Sequence, residues 1–500
     1  MYRNTERKQF TAYDFITPFG GHLKEDNRWV VIANSIDWNI VDDVYEKHFA
    51  DSRYGNIAYP SRMAFGALYI QRKLGFTDRE LVDEITENFY FQFFIGMHEY
   101  SSEPPFDAST LVYFRKRLTN AEMQEINERM FLSKAGDDSD HRHDDPPKDG
   151  DSSSDEEGTD HTGSVNSGTV IIDASCAPAD IAYPTDLELC DKARTWLEVI
   201  VDHLYASYGG LNNSGKKPRT YREKARYRFL NLNKRRKKSG NKVRRELNYQ
   251  LNCIERDLRY IDAYEAAWGL DALLPIEADR LHTIRTFAVQ QREMWKSRIH
   301  RIEDRIVSLS QPWVRPIVRG KSKSPVEFGA KISISVVNGY SFLDQFSFDA
   351  YNEGSGEEFK GVLEQYHRRF GCYPERVLAD KIYRSRENRK YCRELGIHMS
   401  GPRLGKPGKE EAEEVRQELR EIGERNEVEG KFGTGKRKFG LNLIMGKLKE
   451  TTQCMVSMDL FIVNIERSIR QDVLLSILQF RDLWISSQRK GSFCIGYITI

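Results

Sequence analysis

Arg425, Glu429 and Lys436 stand at i, i+4 and i+11 in the stretch RNEVEGKFGTGK. On an α-helix of ~3.6 residues per turn the three project within ~40° of one another. Coulomb attraction alone would quench one carboxylate flanked by two cations on a single face. The arrangement makes chemical sense if the carboxylate holds a divalent metal and the cations hold phosphates. Two upstream aspartates, each after an apolar run, would complete such a site: Asp173 in TVIIDAS and Asp380 in RVLADKIY. Metal-assisted phosphoryl transfer uses two hard cations roughly 4 Å apart. Mg2+ favours carboxylate oxygen and keeps several waters, so a few carboxylates are enough. Each acid also has a plain structural reading: Asp173 as a turn residue, Asp380 as a helix cap, Glu429 as one more charge on a solvated helix. Glu427 is the rival for the third position, but it falls ~160° from Glu429 on a helical wheel.

Gly430, Gly433 and Gly435 are unusual in a helix, where each costs ~1 kcal/mol relative to Ala. Close approach by a DNA backbone would justify them; a kink would as well. Gly430, Gly435 and Lys436 also satisfy G-x-x-x-x-G-K. However, Arg437 stands where Mg2+ binding wants Ser or Thr, and the preceding segment is charged and helical rather than a strand, so a phosphate-binding loop is not expected.

These residues need a scaffold. TVIID reads as a buried strand ending at Asp173. EFGAKISISVVNGYSFLDQFSFDA reads as a hairpin turning at Asn338-Gly339. A helix (356–370), a strand (ERVLA), a helix (385–395) and a short strand (GIHMS) follow. A long charged helix then runs from about 410 through Glu429, and 451–483 is apolar at helical spacing. With the segment 185–315 set aside, the order is strand, hairpin, helix, strand, helix, strand, helix, which is the layout of an RNase H-like α/β domain. The expected fold is therefore α/β: an RNase H-like mixed sheet with flanking helices (169–184 and 316–483), a large helical insertion after the first strand (185–315), and an all-α N-terminal domain (1–134) for DNA binding or assembly. In that last domain, 63–74 and 77–96 read as two amphipathic helices separated by Gly75 and a Thr77/Glu80 capping box, and Asp107 or Ser109 starts a third.

Composition adds limits. Five hundred residues, 39% hydrophobic and 30% charged, require several domains with ion-rich surfaces. The net charge of +1 hides an acidic block at 137–160 and a basic one at 216–245. Residues 135–168 are nearly free of apolar side chains and read as a disordered acidic linker; His141, His143 and His161 there read as part of a solvated tract. The basic block interleaves Lys and Arg, including Lys234, Arg235, Arg236, Lys237 and Lys238, with Tyr and Phe, as a phosphate backbone and unpaired bases would require. The seven cysteines form no Cys-x-x-Cys and read as reduced thiols. No signal peptide or membrane span is expected, and 484–500 reads as a tail outside the expected domains.

At these residues the chain resembles bacterial insertion-sequence transposases of the DDE class. Asp173, Asp380 and Glu429 match the acidic triad, which would serve as catalytic and metal-binding residues. Arg425, Glu429 and Lys436 match the Tyr-Arg-Glu-Lys signature, whose tyrosine position holds Ile422. IIDASCAPADIAYPTD, DKIYRSRENRKYCRELGI, NEVEGKFGTGKRKFGLN and, near the N-terminus, GALYIQRKLGFTDRELVDEITEN and PPFDASTLVYFRKRL resemble the same family. The resemblance implies binding to terminal inverted repeats, cleavage at the element ends and joining of 3′-hydroxyls to target DNA. It further implies Mg2+ or Mn2+ as a pair of ions, Arg425, Lys436 and Lys431 as DNA-binding cations, a homo-oligomer on paired ends, and a cytoplasmic, nucleoid-associated bacterial protein. Better-known relatives often carry their insertion just before the glutamate helix, whereas here it follows the first aspartate strand. A metal-dependent nuclease on the same fold, or a DNA-binding regulator without catalysis, are the competing readings.

Overall fold

The computed structural model describes residues 11–18, 20–49, 57–136, 166–211, 215–318, 326–402 and 411–490, with backbone only at 411–414 and 482–490. Most of the stretch expected as an acidic linker (137–165), with its three histidines, and the last ten residues of the tail lie outside the described residues.

Among the described residues seven α-helices come first: α1 (Arg28–Asn34), α2 (Trp38–Glu46), α3 (Ser61–Leu74), α4 (Asp78–Glu87), α5 (Phe89–Phe94), α6 (Thr110–Arg117) and α7 (Asn120–Gly136). Gly75, at φ +78°, ends α3 in the left-handed region, and the Thr77/Glu80 capping box opens α4. The second expected helix is in fact two. Asn88 turns the chain and caps α5 by accepting from the Tyr90 and Phe91 amides.

Strand β1 (Thr169–Pro178) leads into the insertion, whose helices are α8 (Asp186–Tyr208), α9 (Arg222–Asn233), α10 (Gly240–Trp268) and α11 (Pro275–Ser297). These close over a core of their own, including Leu197, Leu251, Ile254, Ile284 and Phe287. Strands β2 (Arg315–Val318), β3 (Val326–Val337) and β4 (Tyr340–Ser347) follow, then α12 (Gly356–Phe370), β5 (Arg376–Ala379), α13 (Arg386–Glu394), β6 (His398–Met399), α14 (Glu411–Lys438) and α15 (Lys449–Lys490). The β3–β4 turn has Asn338 and Gly339 at φ +46° and +79°, as a two-residue primed turn demands. Gly339 is needed twice over, because a Cβ there would lie 2.6 Å from Arg467 Nε.

The described strands form one mixed sheet in the order β2-β3-β1-β5-β6, with β4 beside the other half of β3. β1 is antiparallel to β3 and parallel to β5. Alternation divides its two faces. Ile171, Ile332, Ile334, Val336 and Leu378 pack under Val428 and Phe432 of α14. Val170, Ile172, Val377 and Ala379 face Phe359 and Leu363 of α12 and join the aromatic core of the N-terminal helices. That second core runs unbroken through α15: the Phe461 ring lies 5.1 Å from Phe65 and 5.7 Å from Phe131. The bidentate pair Arg72–Asp459, with both contacts at 2.7 Å, is buried in the same junction. The N-terminal helices thus form one wall of the sheet domain's core. The protein is mixed α/β.

Candidate active site

Asp173 does not end its strand. β1 continues to Pro178, and Asp173 is paired with Ile334 of β3 on one side. On the other side, pairing with β5 stops at Ile172↔Ala379. Asp173 and Asp380 are the next residues of each strand, so they are neighbours across strands ~4.8 Å apart. The parallel partner stops, and that opens the space. Two residues beyond Ile171 and Leu378, both acids fall on the α14 side of the sheet. The Asp173 carboxylate takes the Ala174 amide at 2.8 Å. Its charge is also felt at Tyr383, whose hydroxyl is raised well above the usual phenol range, first by burial and next by Asp173.

Asp380 accepts from the Lys381 amide at 2.7 Å and caps a short 3₁₀ turn at Lys381–Tyr383. The structural role considered for it in the sequence is therefore real, and it uses one oxygen. The carboxylate remains 57% exposed.

Val428 and Phe432 fix the roll of α14 by packing onto the sheet. That roll puts Arg425 and Glu429 over the β5 end. Arg425 Nη1 lies 3.2 Å from Asp380, and Nη2 lies 3.7 Å from Glu429, which is 58% exposed. A single guanidinium thus touches both acids. Its Nε is buried without a partner. Lys436 follows, half-buried, in the last turn of the same helix. Glu427 goes elsewhere: it lies 3.9 Å from Lys431 and near the Gly339 turn. Lys431 goes with it. Its ammonium donates to the Gly339 carbonyl and is only 13% exposed; burial, the largest influence, pushes it down to about 8. Lys431, expected as a DNA-binding cation, thus has a main-chain partner within the fold.

The glycines do not break α14, which runs through all three. A Cβ at Gly435 would press on Leu441 at 3.2 Å, whereas one at Gly430 would meet nothing within 4 Å. GKFGTGK is helical throughout, which excludes a phosphate-binding loop.

In the basic block, Lys234, Arg235, Arg236, Lys237 and Lys238 are all exposed on the α9–α10 connection. Other members of the block serve the insertion itself. Arg222 binds Asp202 through two nitrogens, at 2.6 and 2.8 Å. Arg228 pairs with Glu246. Phe229 is buried with Leu187 and Leu232 and cannot stack on a base; Tyr221 and Tyr227 remain exposed.

Among the described residues no group of three or more His, Cys, Asp or Glu side chains is gathered for metal binding as they stand. The donor set nonetheless suits a hard divalent ion: the acids are carboxylates, two of them converge on one cationic group, and those two keep most of their side chain in solvent, with room to turn. No helix among the described residues is long and apolar enough to cross a membrane.

Sequence reading missed Arg384. It donates to the carbonyl of Ala379, the residue before Asp380, at 3.1 Å. Its position in KIYRSRENR carries no periodic signal that would have singled it out.

Residues 377–466, which include Asp380, Arg425, Glu429 and Lys436, match the family described as transposase DDE domain. Residues 18–117 match the family described as transposase domain DUF772. The chain is also 29% identical over 174 residues to the uncharacterized protein ORF8 in the nfe locus of Rhizobium meliloti, covering 35% of this chain and 71% of the relative. No solved structure matches. With a transposase-type domain in its N-terminal helices and another spanning two of the three acids, the chain is similar to insertion-sequence DDE transposases, and these matches support a transposase.

Proposed function

We propose that the protein is a DNA transposase. It binds the terminal inverted repeats of its element, cleaves at the ends and transfers the 3′-hydroxyls to target DNA, using Asp173, Asp380 and Glu429 on an RNase H-like unit. The observation that carries this reading is the convergence of the acids: Asp173 beside Asp380 by strand register, and Glu429 joined to Asp380 by Arg425. A sheet of one antiparallel hairpin followed by two parallel strands supports the RNase H-like assignment.

Asp173, Asp380 and Glu429 would hold magnesium or manganese, which would supply activation of the attacking water or hydroxyl and charge stabilisation at the leaving oxygen. The chain's own residues do the rest. β1 and β5 hold two carboxylates on a rigid support, and α14 brings the third from above. Arg425 exchanges its carboxylate contacts for a DNA phosphate, and Lys436 holds the phosphates beside it. The exposed run Lys234–Lys238 neutralises the backbone of flanking duplex. Two ends must be held together for joining, so a homo-oligomer is the working assembly.

The test uses purified protein, a labelled fragment carrying the element end read from the flanking DNA, and a supercoiled target. Cleavage and strand transfer that both disappear in Asp380→Asn, with end binding retained, are the expected result. Cleavage without joining leaves a metal-dependent nuclease. Binding without cleavage in the wild type leaves a regulator.

A further inference from the structure

Two deeply placed arginines around the sheet lie directly against carboxylates. Arg72 lies against Asp459, and Arg369 against Asp344 and Glu128. Arg62, which bonds main-chain carbonyls, has the Trp38 ring 4.7 Å below it. Arg384 and Arg389 bond main-chain carbonyls as well, and these two adjoin one another. Both are half-buried beside the end of β5. Arg384 donates to the Ala379 carbonyl, and its Nε is buried without a partner. Arg389 donates to the Arg384 carbonyl at 3.4 Å and to the Pro402 carbonyl at 3.1 Å. Neither forms an ion pair with a carboxylate among the described residues. A carbonyl satisfies an N–H but leaves the net charge in place.

The fold goes out of its way to seat this charge. Gly401, at φ +101°, is where a Cβ would stand 2.0 Å from Arg384 Nη1, so only glycine leaves room for the guanidinium. Arg425 is near enough to be felt. Arg384 is held below the usual guanidinium range by burial first; Arg389 and Arg425 add repulsion, and Glu418 and Asp380 oppose it. Three guanidiniums thus gather at one strand end, and among the described residues two of them make no ion pair with a carboxylate. Planar, doubly donating and permanently charged, they match the oxygens of a phosphodiester.

We infer that Arg384 and Arg389 extend Arg425 into a track that grips successive backbone phosphates of the DNA strand lying across the end of β5, next to Asp380. This rests on the proposed action on DNA and adds where the substrate strand runs. The competing role is purely structural: Arg384 as a tie on the Ala379 carbonyl and Arg389 as a brace on the loop after β6.

The full-length protein is titrated with a labelled duplex of mixed sequence in EDTA, across about 50 to 200 mM NaCl, alongside its thermal midpoint. Each phosphate contact contributes about 0.9 to the slope of log K against log salt. Arg384→Gln/Arg389→Gln should therefore flatten that slope by about 2 and weaken binding at least about tenfold at the low-salt end, with an unchanged midpoint. Arg384→Lys/Arg389→Lys should recover the slope. Should the double glutamine variant lose its midpoint, Arg389→Gln alone, which spares the Ala379 tie, should still flatten the slope by about 1. An unchanged slope in a folded variant, or lysines that fail to recover it, overturns the track. Wild-type protein that cleaves DNA alongside an unchanged slope defeats the track alone; wild-type protein that binds no duplex defeats the proposed function and the track with it.

Discussion

Asp380 and Glu429 leave more than half of each side chain in solvent and share one guanidinium at 3.2 and 3.7 Å. Inside the insertion, Glu198 and Asp257 are almost sealed, and each lies directly against an arginine, Arg194 and Arg256. Arg194 also bonds Asp191 and donates to the Gln250 side-chain oxygen at 2.9 Å. In the insertion each of these acids lies against an arginine in a low-dielectric interior, so removing one member strands its partner there. At the sheet end the acids are wet and under-paired, so losing one costs little stability. Groups left in that condition are free to take another cation. The site and the insertion thus use the same residue types at opposite degrees of exposure.

The sharpest way to break this comparison is at the acids. Asp173→Asn, Asp380→Asn and Glu429→Gln should each lower end cleavage more than roughly 100-fold, beyond what loss of an outer-shell partner gives, with thermal midpoints close to wild type. An acid whose neutralisation spares cleavage leaves the site. Arg194→Gln should behave conversely: a loss of about 3–5 kcal/mol by denaturant unfolding, because Glu198 is left buried and unpaired, with residual folded protein still cleaving.

A third measurement sharpens the contrast through pH. Burial raises Asp257 from the ordinary carboxylate value to about 7, only partly opposed by Arg256. Between the two values the folded chain holds a proton that the unfolded chain lacks. This contribution to stability is therefore present at low pH and declines as pH rises from about 4 to 7. Wild-type protein should lose thermal midpoint over that window more steeply than Asp257→Asn; equal slopes would show that Asp257 does not carry the effect. The smallest effect belongs to Glu427→Gln. Because Glu427 lies by Lys431 and the β3–β4 turn, cleavage should stay within about twofold, a change of under about 0.5 kcal/mol in barrier. A large loss would instead make Glu427 the third acid.

Much of the scaffold was legible locally. The Asn338-Gly339 turn, the Thr77/Glu80 box, β5 and α13 lie where turn chemistry and periodicity put them. Arg425 and Glu429 share a helix flank as their spacing requires. Other features were not legible. Asp173 reads as a strand end because the apolar run stops there, yet β1 continues through Ala174–Pro178 while only its parallel neighbour stops. Phe229 looks like a stacking aromatic and is core; Lys431 looks like a free cation and donates to the Gly339 carbonyl. Side-chain type does not say which face a neighbouring element will cover.

The sequence by itself determined the residue types, the two acid-bearing apolar runs and the i, i+4 pair on α14, because strand alternation and helical pitch act over a few residues. Only the tertiary structure decided that β1 and β5, separated by the whole insertion, would pair in the register that sets Asp173 beside Asp380. It also decided that Val428 and Phe432 would roll α14 so that Arg425 reaches both Asp380 and Glu429. Those choices rest on apolar surfaces brought together from distant parts of the chain, and no local pattern encodes which surfaces will meet.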